Sequence, residues 1–362
     1  MAQGPVSEVS IKEALKDFQD PETGRDIVTL GQLHGLEFRD GCLSVTLGLT
    51  TFSAPLWDQL RVELAEHLRS RLPELNQVRL EVRVEEHERP AETVGSIGLA
   101  AKAILAVGSG KGGVGKSTIA AILACGLSRA GCKVGLMDAD VYGPSIPHLL
   151  GCAQRPVITG NRIRPVRVDD LAMMSMGLLV PPGEAVIWRG PMLHGAISQF
   201  LKDTEWGNLD YLIIDMPPGT GDVAITLSQV LPVSAAVVVT TPQDVALLDV
   251  VKAIAMFRRV KIEVVGMVEN MSYFVCPECQ TRHDVFGSGG GRRQADELDV
   301  PFLGEVPLNT SIRVCGDEGR VRASFDDPML SPCLEALCRS LVKALVDRRR
   351  RQPSLPSLPV IS

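Results

Sequence analysis

The sequence is poor in aromatic residues, in clustered cysteines and in long apolar runs, and the last two shortages each exclude a class of protein. Aromatic residues make up 4% of the 362 residues, which is a low share. The nine cysteines are scattered and odd in number, unlike the dense disulfide framework of a small secreted protein. The longest apolar stretches, such as 235–240, fall far short of the roughly 20 residues that a membrane-spanning helix needs.

The chain also lacks an excess of positive charge. Its formal net charge is −6, whereas proteins that bind nucleic acids in general are usually basic. No basic start followed by an apolar run opens the sequence, so we predict no signal peptide. We therefore expect a soluble protein of the reducing cytoplasm, with no nucleic-acid partner, no stable membrane insertion and thiols free for metal binding or catalysis.

Composition shifts along the chain predict two domains. Residues 1–84 read as a small α+β domain, because helical apolar spacing in 9–18 and 55–71 is combined with strand-like alternation in 43–49 and 78–84. Residues 85–101 lose this periodicity and read as a linker. The second domain is expected over 102–346, followed by an arginine-rich and then Pro/Ser-rich tail, 347–362, that we expect to be disordered.

The second domain alternates buried strands with helices. Its apolar runs are 103–107, 134–137, 211–215, 235–240 and 263–268, and helical segments at 117–130 and 245–260 lie between them. Strands that are apolar on both faces and alternate with helices indicate an α/β fold, with a mostly parallel sheet covered by helices on both faces.

A phosphate-binding loop joins the first of these strands to its helix. The segment GKGGVGKS matches G-x-x-x-x-G-K-[ST] between a buried strand and a helix, the context that makes this motif specific for a P-loop NTPase. Its backbone amides can cradle ATP phosphates, while Lys116 reaches the β/γ-phosphates and the Ser117 hydroxyl ligates Mg²⁺. The predicted ATP-binding residues of this loop are Gly110, Lys111, Gly112, Gly113, Val114, Gly115, Lys116 and Ser117.

Acidic residues follow two other strands of this domain. Asp215 ends the strand YLIID, where a carboxylate can hold the water shell of Mg²⁺. Asp138 and Asp140 follow the strand VGLM in the same way and could serve the metal or the attacking water. We predict Asp215 as a magnesium residue and Asp140 as a catalytic one.

The second residue of the loop, Lys111, makes GKGGVGKS resemble the deviant Walker A motif of the MinD/ParA/nitrogenase-iron-protein class. In that class the extra lysine reaches across a dimer interface to the partner's nucleotide. The resemblance implies a homodimer with two facing ATP sites, in which Lys111 and Lys116 are catalytic. It also puts the water-positioning role on Asp140. A cation supplied by the partner would stabilise charge on the transferring phosphoryl group.

Further motifs resemble, in order, those of the Mrp/ApbC family of ATP-binding iron–sulfur cluster carriers. They are DADVYGPS (138–145), WRGPM (188–192), DMPPGTGD (215–222), VENM (268–271), CPEC (276–279) and FGSGGG (286–291). The resemblance implies an ATPase that carries a [4Fe–4S] cluster and transfers it to apo-proteins, with cluster scaffold proteins as further partners. It also implies that Asn270 contacts the adenine of ATP.

The first domain resembles the small PaaD/SufT-like domain often fused to these carriers. The resemblance rests on DPETGRDIV (20–28), Thr50-Thr51 and PLWDQL (55–60). Many members carry a cysteine just before the proline of the last motif, but here the stretch reads FSAP (52–55). We therefore expect this domain to dock a partner or regulate, and not to hold a cluster.

Cys276 and Cys279 form the one clear metal-binding pair in the sequence. A stable iron–sulfur or zinc site usually takes four protein ligands, so one chain supplies only half of such a site. Two copies of the chain would supply four thiolates, and the resemblance implies a [4Fe–4S] cluster bridging the subunits. Structural zinc in the same geometry stays open, because thiolate spacing does not choose between the two. A redox dithiol is disfavoured, because the pair is expected in a loop. Cys125, Cys132 and Cys338 read as small buried hydrophobes.

Two other functions compete with a cluster carrier. A MinD/ParA-type spatial-organisation ATPase would use the amphipathic helix 334–346 and its trailing arginines on a membrane or a partner protein. An electron donor similar to nitrogenase reductase is disfavoured, because a bridged cluster there uses two well-separated single cysteines. The CPEC loop and the fused first domain favour the carrier.

Overall fold

The computed structural model describes residues 6–95, 97–141, 143–178, 190–219 and 221–351. The chain divides into two compact units. The first comprises Met1–Arg89 together with Val342–Ser362, and the second comprises Pro90–Leu341. The predicted disordered tail lies outside the described residues from 352 onward.

The first unit is a three-stranded sheet with two helices from the amino-terminal segment. Its elements are α1 (Glu8–Leu15), β1 (Leu33–Arg39), β2 (Cys42–Leu49), α2 (Trp57–Arg71) and β3 (Arg79–Glu86). The strand order is β1-β2-β3, with β1 antiparallel and β3 parallel to β2. The leucines at 60, 64 and 68 recur every four residues, so they share one face of α2 and are buried there.

The second unit is built on a larger sheet. Its strands are β4 (Thr93–Val94), β5 (Leu99–Ser109), β6 (Val134–Asp138), β7 (Val157–Thr159), β8 (Arg162–Arg164), β9 (Val166–Val168), β10 (Leu171–Ser175), β11 (Leu209–Asp215), β12 (Ala235–Thr240), β13 (Val264–Asn270), β14 (Phe274–Val275), β15 (Arg282–His283) and β16 (Phe302–Val306). Its helices are α3 (Lys116–Arg129), α4 (Ile146–Leu149), α5 (Gly190–Asp203), α6 (Gly221–Val230), α7 (Asp244–Arg259), α8 (Gly290–Glu297), α9 (Thr310–Asp317) and α10 (Ser331–Arg351).

The sheet of this unit is mostly parallel. The order is β16-β13-β12-β5-β11-β6-β10-β9, and only β9 and β4 pair antiparallel to their neighbours. Every residue of β6, β11, β12 and β13 is buried, which requires cover on both faces of the sheet. The expected α/β fold, preceded by a small α+β domain, is confirmed. Because the central strands are parallel, their carboxyl ends lie along one edge, where α/β proteins bind ligands.

The last helix, α10, belongs partly to each unit, because the boundary between the units falls inside it, between Leu341 and Val342. Within the first unit, the Arg349 guanidinium carbon lies 4.3 Å from the centre of the Phe52 ring. The same side chain donates a hydrogen bond of 2.9 Å to the backbone oxygen of Glu22. The end of α10 is therefore part of the packing of the first unit.

The structure differs from the predicted elements mainly where strands are short or polar. β1 and the strands β7 to β10 were not predicted, and α10 runs on to Arg351 where we expected the helix to end near 346. The region predicted as a linker is shorter than expected, because β3 reaches Glu86 and residues 93–94 and 99–101 already belong to β4 and β5. Among the described helices, none combines the length and the apolar character needed to cross a bilayer.

Candidate functional site

The phosphate-binding loop occupies the turn between β5 and α3, in the middle of the sheet. Gly113 and Gly115 have φ values of +82° and +80°, a left-handed conformation that favours glycine. A Cβ at Gly115 would come within 2.2 Å of Asn270 Nδ2, and one at Gly110 within 2.3 Å of the Asp249 backbone in α7. The glycines thus allow both the curl of the loop and the close approach of two neighbouring elements.

Lys116, Ser117 and Asp215 meet beneath this loop. Lys116 Nζ lies 2.5 Å from Asp215 Oδ1 and 3.0 Å from Ser117 Oγ. Asp215 is fully buried at the end of β11, and its Oδ2 has no hydrogen-bond partner among the described residues. Burial raises the pKa of Asp215, and the Lys116 ammonium opposes that rise. The structure therefore brings together three of the predicted ATP and magnesium residues.

Asp138 organises the loop after β6. Its carboxylate accepts the backbone N–H groups of Asp140 and Ile146, both at 3.1 Å, and the hydroxyl of Ser175 at 3.2 Å. Burial, with a contribution from Asp215, raises the pKa of Asp138 to about 7. Asp140 is half-buried and accepts the Gly143 N–H at 3.1 Å. Its catalytic role stays a prediction.

Asn270 and Glu269, at the end of β13, connect the P-loop to later elements. Asn270 Nδ2 donates to the Val114 backbone oxygen at 2.9 Å, which places this amide against the P-loop. Its contact with adenine stays a prediction. Glu269 is fully buried and accepts the Gly291 N–H at the start of α8 and the Ser272 hydroxyl. Sequence reasoning missed Glu269, although a carboxylate interrupting an apolar strand is a usable signal.

The CPEC segment forms the tip of a small hairpin between β14 and β15. The Cys276 N–H donates to Thr281 O at 3.0 Å, and the Gln280 N–H donates to Cys276 O at 2.9 Å. Cys276 is half-buried and Cys279 is exposed. Hydrogen bonding to Thr281, followed by that to the Cys276 thiol, lowers the pKa of Cys279. Both thiols are thus held on one turn that solvent reaches.

Arg282 anchors this hairpin, and nothing in the sequence pattern pointed to it. Its guanidinium carbon lies 4.1 Å from the centre of the Tyr273 ring. Its nitrogens bond Asp284 at 3.0 Å and Glu305 of β16 at 3.4 Å. The hairpin is therefore tied to the edge strand of the sheet.

In the part of the chain that the structure describes, no three Cys, His, Asp or Glu side chains are placed to hold a metal ion. The role of Cys276 and Cys279 as ligands of a shared metal or cluster stays a prediction. Cys125, Cys132 and Cys338 are buried, as expected, and burial raises the pKa of all three thiols. Tyr142, 188–189 and Thr220 of the family motifs lie outside the described residues.

Comparison with known proteins identifies the families that the two parts of the chain match. The family described as NUBPL iron-transfer P-loop NTPase matches residues 100–342, and the iron–sulfur cluster assembly protein family matches residues 8–82. An iron–sulfur cluster carrier protein of Deinococcus radiodurans is 43% identical, over 92% of this chain and 94% of that protein.

Solved structures show the same fold. A nucleotide-binding protein of Archaeoglobus fulgidus in complex with ADP is 40% identical, with a TM-score of 0.55, over 61% of this chain and 88% of that chain. The cell division ATPase MinD of Pyrococcus furiosus, 23% identical with a TM-score of 0.50 over 67% of this chain and 98% of that chain, shares the fold. The carrier relatives favour the cluster carrier over the spatial-organisation ATPase. The chain belongs to the NUBPL iron-transfer P-loop NTPase family and is an iron–sulfur cluster carrier.

Proposed function

We propose that two copies of this chain bind a [4Fe–4S] cluster between their Cys276–Cys279 pairs and pass it to apo-proteins in the cytoplasm, in a cycle driven by ATP binding and hydrolysis. The observation that carries the proposal is the pair of accessible thiols on an anchored hairpin, since one chain offers two thiolates and a cluster takes four. Transfer exchanges ligands: each iron bond to a carrier thiolate breaks as a bond to an acceptor thiolate forms, without net electron transfer.

The P-loop supports the nucleotide half of the proposal. ATP phosphates would draw the Lys116 ammonium away from Asp215, whose buried carboxylate then regains two free oxygens. The unpartnered Oδ2 of Asp215 and the nearby Ser117 hydroxyl fit a hydrated Mg²⁺, which would neutralise phosphate charge when bound. Lys111 would act on the partner's nucleotide, and Asp140 would position the attacking water.

The last helix, α10, does not support the alternative function of a spatial-organisation ATPase that binds a membrane. A membrane-binding amphipathic helix needs a free apolar face. Val342, Leu345 and Val346 of α10 are each at most 4% exposed, so this apolar face is already buried within the protein. The helix is therefore explained without a membrane.

Anaerobic reconstitution with iron and sulfide tests the cluster site. We expect the wild type to form a brown dimer with one cluster per two chains, and the Cys276→Ala/Cys279→Ala variant to form none. Cys152→Ala/Cys315→Ala, which removes two half-buried thiols elsewhere, is the matched control and should load normally. A cluster of equal stability in the Cys276→Ala/Cys279→Ala variant would contradict the assignment of the cluster to these cysteines. Stoichiometric zinc that resists replacement by iron would favour a structural metal.

Two lysine variants test the nucleotide cycle. Lys116→Ala should lose ATP binding, because it removes the buried cation of the loop. Lys111→Ala should still bind ATP but lose ATP-dependent dimerisation and hydrolysis. Equilibrium dialysis measures the ATP binding, and sedimentation velocity measures the dimerisation. Hydrolysis by Lys111→Ala at the wild-type rate would contradict the proposed role across the dimer.

A further inference from the structure

The two thiols of the CPEC turn have different surroundings, although they lie three residues apart. Cys276 is half-buried, and its backbone is bonded on both sides: the N–H donates to Thr281 O at 3.0 Å, and the carbonyl accepts the Gln280 N–H at 2.9 Å. Cys279 is exposed, and its thiol donates a hydrogen bond to Thr281 Oγ1 at 3.3 Å. The two sulfurs therefore differ in access to solvent and in hydrogen bonding.

Thr281 contacts both cysteines because the chain reverses direction immediately after Cys279. Gln280 has a φ of +58°, a left-handed conformation that is uncommon for residues other than glycine. Backbone of this kind persists where the surrounding structure holds it, and it is concentrated at functional sites. The turn at Gln280 places the Thr281 hydroxyl on the sulfur two residues earlier.

The position of Thr281 is also fixed from its other side. The next residue, Arg282, pairs with Val275 in the β14–β15 ladder. The Arg282 side chain bonds Asp284 at 3.0 Å and Glu305 of β16 at 3.4 Å. Thr281 therefore lies between the left-handed turn and an anchored strand, and its hydroxyl is held beside the sulfur before any cluster is bound.

A hydroxyl in this place changes how firmly the sulfur holds iron. When Cys279 ligates iron its sulfur carries no proton, so the Thr281 O–H rotates and donates to the sulfur. Hydrogen bonds to ligating sulfurs withdraw electron density from them and tune iron–sulfur centres. The same bond is stronger to a free thiolate, because the acceptor is then charged. The hydroxyl therefore favours release of Cys279 from iron.

We propose that Thr281 is a positioning residue that makes Cys279 the first ligand to leave the cluster, while Cys276 stays bound until transfer is complete. This inference rests on the proposed carrier function. In the step, a thiolate of the acceptor forms a bond to iron as the bond between that iron and Cys279 Sγ breaks. The acceptor thiol has given its proton to solvent, the released Cys279 thiolate takes one from solvent, and no electron is transferred.

Thr281→Val tests the proposal, because it removes the hydroxyl and keeps the shape of the side chain. After anaerobic reconstitution, transfer of the cluster to the apo form of a [4Fe–4S] ferredoxin should slow about two- to tenfold, the ratio that one hydrogen bond gives. Thr281→Ser keeps a hydroxyl and should transfer at close to the wild-type rate. Thr159→Val, which changes an exposed threonine of β7, is the matched control and should not alter transfer.

The direction of the effect separates this role from a structural one. A hairpin that is merely loosened would release its cluster sooner, whereas loss of the hydroxyl from an intact hairpin should delay release. Transfer by Thr281→Val at the wild-type rate or faster would overturn the proposal. Failure of the wild type to load a cluster would instead contradict the proposed function, so the two failures can be told apart.

A second measurement uses the apo-protein and needs no cluster. The pH midpoint of iodoacetamide labelling of Cys279 should move upward in Thr281→Val, because the thiolate loses a hydrogen-bond donor, and should return toward the wild-type value in Thr281→Ser. Hydrogen exchange of the Cys276 amide should match the wild type in both variants. An unmoved midpoint, or faster exchange of that amide in Thr281→Val, would contradict the proposed role.

Discussion

At the scale of single residues, the left-handed glycines of the P-loop can be tested by adding one methyl group. Gly115→Ala should lower the free energy of unfolding by about 1–3 kcal/mol, because φ is +80° and Asn270 Nδ2 stands 2.2 Å from the new Cβ. Gly112→Ala is the matched control: its Cβ would meet nothing within 4 Å, so its stability should change little. Urea unfolding of the apo-protein measures both, and an equal loss in the two variants would contradict this account.

The cysteines are predicted to separate by reactivity at pH 8. Burial raises the pKa of Cys125 and of Cys338 to about 12, so at this pH both thiols stay protonated and unreactive. The pKa of the exposed Cys279 is lowered, so a larger share of it is thiolate. Iodoacetamide labelling followed by peptide mass spectrometry should modify Cys279 at least tenfold faster than the buried pair. Fast labelling of Cys125 or Cys338 in the folded protein would contradict the burial.

Some residues of the candidate site could be predicted from the sequence and others could not. Lys116, Ser117 and Asp215 were predicted because a spaced motif and a strand-end carboxylate each have a defined chemistry, and the structure places them together. Arg282 and Glu269 were missed because their partners, Glu305 and Gly291, are distant in sequence. Sequence alone does not show which polar groups meet across a fold.

At the scale of elements, the hairpin that carries the thiols depends on Arg282. Arg282→Gln removes the contact with Tyr273 and the two ion pairs, so the hairpin should open more often. We expect the backbone amides of Cys276 and Gln280 to exchange hydrogen at least tenfold faster, and a reconstituted cluster to be lost sooner. Arg313→Gln serves as the control, and unchanged exchange in Arg282→Gln would show that the anchor is not needed.

The predictability of elements followed their length and burial. The buried parallel strands β6, β11 and β12 were predicted within a few residues, because continuous apolar runs between helices are a strong pattern. The buried parallel strand β10 was not predicted. The strands β7 to β9 have three residues each, and β8 and β9 contain arginine, so they carry too short a pattern to recognise. The shortened linker has the same cause, since β4 has two residues and takes its form from pairing with β5.

At the scale of the whole molecule, the first unit is completed by the far end of the chain. Arg349→Ala should uncover one face of Phe52 and lower the stability of the first unit by about 1–2 kcal/mol. Arg339→Ala, which removes an exposed pair with Glu335, should change it by less than about 0.5 kcal/mol. Native-state hydrogen exchange of the β2 amides measures the effect, and equal losses in both variants would contradict it.

Because the first unit is built from two separate stretches of the chain, the ribosome makes its two parts at different times. Residues up to Arg89 emerge early, but Val342 and its successors follow only after roughly 250 further residues have been made. At about 5–20 residues per second, translation leaves the early segment without its closing helix for roughly 10 to 50 s. Throughout that interval the ring of Phe52 lacks its arginine cover. The first unit, most of which is made before the second unit, can thus finish folding only after the second unit has been synthesised.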